Sequence, residues 1–265
     1  MSDLLNHVLA GDRREPALLL VHPLGADLTF WDDFVRAVDG RATTLAVDLP
    51  GVGSSPGPER PVSLGEQAAA LEALRHGLGI ERFAIVACAI SAMTAAVYAA
   101  EHPARTTALV LANPTPASAP GARQMLGERA QAVREGGIGV VLPGAVERAF
   151  LNLPHDALYE RYMKRFSAQD PHAYAWALEA AAEADATEAF GRIACPTLLV
   201  SGRHDVLLPM DRTEAAARLA AGARIVVMEQ AAHFVPYQQP ARFAELVLDF
   251  VGREAIPARS SGAHA

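Results

Sequence analysis

The chain has 265 residues, of which 51% are hydrophobic, and its formal net charge is −7. An acidic chain with scattered charges argues against general binding to nucleic acid or to an acidic membrane surface. Its two cysteines, Cys88 and Cys195, lie in apolar, strand-like segments, which is typical of reduced thiols in a cytoplasmic protein. The N-terminus lacks the features of a signal peptide, and no apolar run approaches membrane-spanning length.

Short apolar runs alternate with longer amphipathic stretches along most of the chain. This alternation predicts an α/β fold with a mostly parallel central sheet and helices on both faces. We assign residues 1–118 and 191–256 to this core and residues 257–265 to a flexible tail. Strands are predicted at 17–22, 43–48, 83–88, 107–112, 197–201 and 224–228, and core helices at 64–78, 90–102, 211–219 and 240–251.

The first central strand leads into the sequence His22-Pro-Leu-Gly25. A loop at this place in an α/β sheet can supply one backbone N–H to an oxyanion, here that of Leu24, and Gly25 allows the tight turn. We interpret His22 as a structural hydrogen-bonding residue. Trp31 follows this loop and is predicted to form part of a substrate-binding wall. The next strand-end loop, 48–55, is rich in glycine but lacks the lysine of a P-loop.

Residues 83–92 have the pattern of a nucleophile elbow, an apolar strand followed by small residues and a helix. Ala87 and Ser91 fill the two positions that must be small, which places the nucleophile position at 89, and this position holds Ala89. Cys88 is the alternative nucleophile, but bulky residues flank it. The following residue, Ile90, is the second predicted oxyanion donor, and Met93 on the first helical turn is a predicted substrate-binding residue.

Residues 119–190 contain no strand-like run and are predicted to form an all-helical cap over the site. Within it, Arg129, Phe150 and Tyr174 are candidate substrate-binding residues. Arg129 is the most informative of them, because a substrate carboxylate needs a cation in an otherwise apolar pocket. A helical bundle without functional importance is the alternative interpretation. Four amphipathic stretches support a helical insert, at 122–135, 139–151, 155–166 and 172–184.

Two polar residues at later strand ends complete a predicted catalytic set. Asp205 follows the strand ending at Ser201, in a turn between Gly202 and Pro209, and His233 lies in the loop after the last strand. An aspartate there can orient a histidine and stabilise its charged form. The chain order of nucleophile position, acid and base is the order found in this architecture. Asn113 occupies the alternative acid position but cannot carry the charge.

Together these segments resemble the α/β-hydrolase superfamily from about residue 17 to residue 252. Within that superfamily, the chain is similar to the 3-oxoadipate enol-lactonase branch. The similarity lies in the segments 101–103, 109–114, 174–185 and 190–193. That family's elbow reads Gly-x-Ser-x-Gly-Gly, whereas this chain has Ala-Cys-Ala-Ile-Ser-Ala. The resemblance implies a cofactor-independent serine-type hydrolase of a small ester or lactone, without a metal. Carbon–carbon bond hydrolases share the same core and are an alternative.

The alanine at position 89 has two interpretations. In the first, a serine has been deliberately replaced by alanine so that the protein traps its ligand, and the retention of Asp205, His233 and the oxyanion loop favours this. In the second, the chain is a natural non-hydrolytic protein that binds a ligand, or that performs lyase- or isomerase-type chemistry with His233 and the oxyanion hole. Both predict a small-molecule substrate, and both are compatible with a homodimer.

Overall fold

The computed structural model describes residues 4–11, 17–119 and 121–254. The predicted flexible tail, 257–265, lies outside the described residues. Within them, no helix is both long enough and apolar enough to cross a bilayer.

Seven strands form one sheet in the order β1-β3-β2-β4-β5-β6-β7. Every neighbouring pair is parallel except β1 and β3, which are antiparallel, so the predicted mostly parallel sheet is confirmed. The sequence prediction did not include the edge strand β1. The strands are β1 (His7–Ala10), β2 (Ala17–Val21), β3 (Thr43–Val47), β4 (Phe83–Cys88), β5 (Thr106–Ala112), β6 (Thr197–Gly202) and β7 (Arg224–Met228).

The order of the strands positions the site. β3 lies on one side of β2 and β4 on the other, so the direction of winding reverses between β2 and β4. Loops that leave neighbouring strands in opposite directions open a crevice at their carboxyl ends, where ligands bind in such sheets. The loop after β2, which begins at His22, and the turn after β4, which contains Ala89, therefore border the same crevice.

Helices cover both faces of the sheet, as predicted. Along β2, Leu18 and Leu20 contribute to one buried cluster and Leu19 and Val21 to the other, because successive side chains of a strand point to opposite faces. The core helices are α1 (Asp32–Val38), α2 (Leu64–Gly77), α3 (Ser91–Glu101), α9 (Met210–Leu219), α10 (Val235–Gln238) and α11 (Pro240–Glu254).

The helical insert lies between β5 and β6. Its helices α4 and α7 pack against each other, and α6 is joined to the core through Arg161, which contacts Asp33 and donates to the Tyr237 hydroxyl over 3.1 Å. The fifth helix of the interval packs against α3 and α9, with Phe190 in the core cluster. The helices are α4 (Ala122–Gly136), α5 (Leu142–Ala149), α6 (Ala157–Ser167), α7 (Pro171–Glu183) and α8 (Thr187–Gly191).

Candidate active site

Ala89 occupies the sharp turn between β4 and α3. Its φ is +56°, in the left-handed region that non-glycine residues rarely adopt, and its N–H donates to the Ala112 carbonyl over 2.8 Å. Such a conformation costs on the order of 1–3 kcal/mol and persists only where the surroundings enforce it. The buried Ala87 and Ser91 on either side leave room for the close approach of strand and helix. The turn thus has the geometry of a nucleophile elbow, but its central residue is an alanine, which lacks the hydroxyl group that a serine would carry there.

The loop after β2 is fixed against the elbow. The Ser91 hydroxyl donates to the His22 carbonyl over 2.5 Å, which joins the start of α3 to this loop. The Nδ1 atom of His22 lies 2.9 Å from the Pro23 carbonyl oxygen, and its Nε2 atom accepts a hydrogen bond from the Leu49 N–H over 3.1 Å. Burial lowers the pKa of His22. With one nitrogen donating and the other accepting, His22 is a neutral structural residue.

Gly25 brings this loop under the cap. Its φ is +76°, and a Cβ there would lie 2.5 Å from the Phe166 ring of α6. Leu24 precedes it, and both Leu24 and Ile90 line one cavity together with Ala89 and His233. Among the described residues, neither the Leu24 nor the Ile90 amide has a hydrogen-bond acceptor. Both residues predicted to supply oxyanion donors therefore line the cavity at position 89, and their amides are unpaired within the described part of the chain.

Asp205 and His233 form a buried pair. His233 Nδ1 lies 2.9 Å from Asp205 Oδ2 and 3.1 Å from Oδ1. Oδ1 also accepts the Leu207 and Leu208 amides, over 2.8 and 3.0 Å. Since a carboxylate at Nδ1 fixes the proton there, Nε2 of His233 is left as the free basic atom of the ring.

Asn113 is part of this arrangement. It follows β5 with a φ of +48°, and its Nδ2 donates to Asp205 Oδ2 over 2.6 Å. From the sequence, Asn113 is only an alternative to Asp205 as the acid, whereas in the structure it donates a hydrogen bond to Asp205. Burial by itself raises the pKa of Asp205, but His233 and the Leu207 and Leu208 amides outweigh that effect and lower it. Asp205 is therefore ionised and held rigidly at neutral pH.

The cavity at position 89 has a volume of about 490 Å³, within the range of small-molecule sites. Two of the predicted wall residues, Arg129 and Tyr174, line it. Burial raises the pKa of the Tyr174 hydroxyl to about 12, against the opposing effect of Arg129. Arg212 of α9 also lines the cavity, and within the described residues neither arginine forms an ion pair.

For the other three predicted wall residues, the structure corrects the prediction. Trp31 is fully buried and packs edge-on against Phe34 in the core. Met93 is fully buried in the cluster under α2 and α3. Phe150 is buried next to Phe234, which itself lines the cavity. These large apolar side chains pack in the protein interior, and none of the three is among the residues that line the cavity.

Cys88 does not replace the missing hydroxyl. Burial raises the pKa of this thiol well above its usual value, and the negative charge of Asp205 acts in the same direction. Its Sγ lies 3.9 Å from the His233 carbonyl oxygen, on the backbone side of that residue. A buried thiol that resists ionisation is not an effective nucleophile. Among the described residues, no group of three or more His, Cys, Asp or Glu side chains is arranged to hold a metal.

The position of His233 depends on a close backbone contact at Gly202. A Cβ at Gly202 would lie 2.0 Å from the Ala232 carbonyl oxygen. We expect Gly202→Ala to reduce the free energy of unfolding by about 1–3 kcal/mol, because overpacking displaces the loop. Gly127→Ala in α4 is the matched control, since a Cβ there meets nothing within 4 Å and alanine favours a helix. Urea denaturation measures both, and equal stability of the two variants would contradict the inferred contact.

Comparison with known proteins agrees with this geometry. The family model described as "alpha/beta hydrolase fold" matches residues 16–240. The 3-oxoadipate enol-lactonase 2 of Acinetobacter baylyi is 26% identical over 92% of this chain and 91% of its own length. A pimeloyl-[acyl-carrier protein] methyl ester esterase of Neisseria meningitidis is 29% identical over 88% of this chain and 91% of its own. The crystal structure of the enol-lactonase from Burkholderia xenovorans superposes with a TM-score of 0.87 at 25% identity, covering 94% of this chain and 96% of the other. The chain belongs to the α/β-hydrolase fold family and resembles its enol-lactonase branch.

Proposed function

We propose that this protein binds a small ester or lactone that carries an acidic group, and that Ala89 stands where a hydrolytic form has serine. One observation carries the proposal. The same cavity is lined by position 89, His233 and both candidate oxyanion residues, and Arg129 adds a cation without a carboxylate partner. The similar proteins named as an enol-lactonase and a methyl ester esterase both act on carboxylic ester bonds, which supports this substrate class.

The chemistry follows from the geometry of the pair and the loop. A serine at position 89 would attack the carbonyl carbon while His233 Nε2 takes its proton and Asp205 stabilises the imidazolium. The oxyanion would be stabilised by the Leu24 and Ile90 amides. With alanine, the first covalent bond cannot form. The ground-state contacts stay in place, because the contribution of a serine nucleophile is made mainly in the transition state.

The test compares this chain with Ala89→Ser on 4-nitrophenyl acetate, 4-nitrophenyl butyrate and a small enol-lactone. Hydrolysis is expected from the serine variant and near-background rates from the alanine form. A folded serine variant that hydrolyses no ester, lactone or vinylogous diketone would contradict the proposal. Activity on the diketone alone would instead support a carbon–carbon bond hydrolase.

Non-covalent chemistry with His233 as a general base is the second candidate. The observation that favours it is the complete support of Asp205, by Asn113, His233 and two amides, in a chain that has no serine for His233 to deprotonate. His233 could instead take a proton from water or from the substrate itself.

The second candidate predicts turnover by the present chain that depends on His233. His233→Gln is expected to abolish the rate enhancement, which for general base catalysis is about 10²–10⁴-fold. His204→Gln is the matched control, since His204 neighbours Asp205 but is not among the cavity's lining residues. Equal rates in both variants on every substrate that the serine form accepts would exclude this candidate.

A further inference from the structure

A second cavity, of about 330 Å³, adjoins the one at position 89. The two cavities share four lining residues, and two of these are the candidate oxyanion residues Leu24 and Ile90. The other two, Tyr174 and Ala181, belong to α7 of the cap. A carbonyl group whose oxygen is held by the Leu24 and Ile90 amides therefore lies at the boundary of the two cavities.

One wall of the second cavity is formed by small side chains of α7, next to Tyr174 and Trp176 of the same helix. Four alanines of this helix line it, at the spacing that brings residues to one helical face. Thr94 and Gln67 also line this cavity, and their side chains are paired, because the Thr94 hydroxyl donates to Gln67 Oε1 over 2.6 Å. The alanines are Ala173, Ala177, Ala180 and Ala181.

The charged groups that line the second cavity have partners within the protein, although the Nη1 atom of Arg165 is buried and has no hydrogen-bond partner among the described residues. Arg60 forms an ion pair with Glu66, and the Arg165 Nη2 donates to the Thr29 carbonyl over 2.8 Å. Asp170 accepts the Ala173 N–H over 2.8 Å as the N-cap of α7. Asp27, the remaining charged lining residue, accepts the Thr29 N–H and lies 3.7 Å from the Arg165 Nε.

The cavity at position 89 differs in this respect. Arg129 and Arg212 both line it, and the described part of the chain supplies no ion-pair partner to either. The one exposed carboxylate among its lining residues is Asp211, in the first turn of α9. An anionic group is therefore favoured on this side of the carbonyl and an uncharged group on the other.

We propose that the two cavities hold the two arms of one ester, an acidic arm against Arg129 and Arg212 and an uncharged alkyl arm against the alanine face of α7. This inference rests on the proposed function and narrows its substrate class. It favours an open-chain ester with two extended arms over a compact single-ring lactone, which would leave the second cavity empty.

The first test uses Ala89→Ser and a series of monoalkyl glutarates with methyl, butyl and octyl alcohols. Adding Ala177→Leu fills the second cavity, and we expect the octyl ester to lose about tenfold or more in kcat/KM. The methyl ester keeps its rate, which also shows that the variant is folded. Ala132→Leu, on the exposed face of α4, is the matched control and leaves the whole series unchanged. An Ala177→Leu variant with an unaltered chain-length profile would overturn the inference.

The second test needs no catalysis and uses the present chain with octanoate as the probe. Trp176 lines the second cavity, so its fluorescence should change saturably with octanoate and not with acetate. Ala177→Leu should abolish the change and Ala132→Leu should preserve it. If Ala89→Ser lacks esterase activity while octanoate binds in this way, the proposed function fails and the second cavity stands. If octanoate binds Ala177→Leu as tightly as the parent, the second cavity is not an alkyl site.

Discussion

Ala89→Ser is expected to hydrolyse a small ester or lactone roughly a million-fold faster than the present chain, the size of effect seen when a triad serine is lost. The reason is that the geometry around position 89 fits each of the other roles in the proposed mechanism. The turn at position 89 already has the positive φ of an elbow, the His233–Asp205 pair is joined over 2.9 Å, and the Leu24 and Ile90 amides are available. Stopped-flow or steady-state release of 4-nitrophenol measures the gain.

Ala89→Gly controls for changes in the turn itself. Glycine relieves the strain of the positive φ without adding a nucleophile, so it is expected to leave turnover at the level of the alanine form. A gain with glycine similar to that with serine would show that the shape of the turn, and not the hydroxyl, limits the reaction.

In the serine background, Asp205→Asn is expected to lower kcat about ten-thousand-fold. An amide can donate to His233 Nδ1, so Nε2 would carry the proton and could not accept the one from serine. The fold should survive, because Asn preserves the shape of the side chain. Circular dichroism and the pH dependence of kcat check both points.

Asn113→Ala in the same background tests how much the orientation of Asp205 contributes to the rate, because the charge of Asp205 is unchanged. It removes the 2.6 Å hydrogen bond to Asp205 but leaves the carboxylate and its two amide donors in place. We expect a smaller loss, of about 10–100-fold, typical of a group that orients a primary ligand or base. A loss as large as that of Asp205→Asn would mean that Asn113 takes part in the proton transfer itself.

The features that the sequence predicted well are those with a local physical cause. Strands β4 and β5 are buried on both faces and read as continuous apolar runs, so their type and order could be predicted. A nucleophile elbow requires small residues at fixed positions, so a sharp, strained turn could be predicted at Ala89, and the positive φ of that residue agrees with it. The nucleophile role of position 89 stays a prediction. By contrast, β1 is a half-exposed edge strand of four residues, and its pattern is too short and mixed to be distinguished from a loop.

The features that the sequence did not predict depend on contacts between distant segments. Trp31, Met93 and Phe150 are large and apolar, and such residues give the same signal whether they fill a core or line a pocket. The role of Asn113 depends on the adjacency of β5 and β6, which brings it next to Asp205. The second cavity is the space left between the small alanine side chains of α7 and the segments opposite them. It could not be predicted from the sequence, because its presence depends on how those segments are placed in three dimensions.

The central claim is that this site lacks only the nucleophile's hydroxyl, and labelling with a fluorophosphonate tests it without knowledge of the substrate. The reagent needs a hydroxyl nucleophile, a base and an oxyanion hole in the correct arrangement. Intact-mass and peptide analysis should show one adduct on Ala89→Ser, at position 89, and none on the present chain. An unlabelled but folded serine variant, or an adduct on the present chain, at Cys88 or elsewhere in the cavity, would contradict the account.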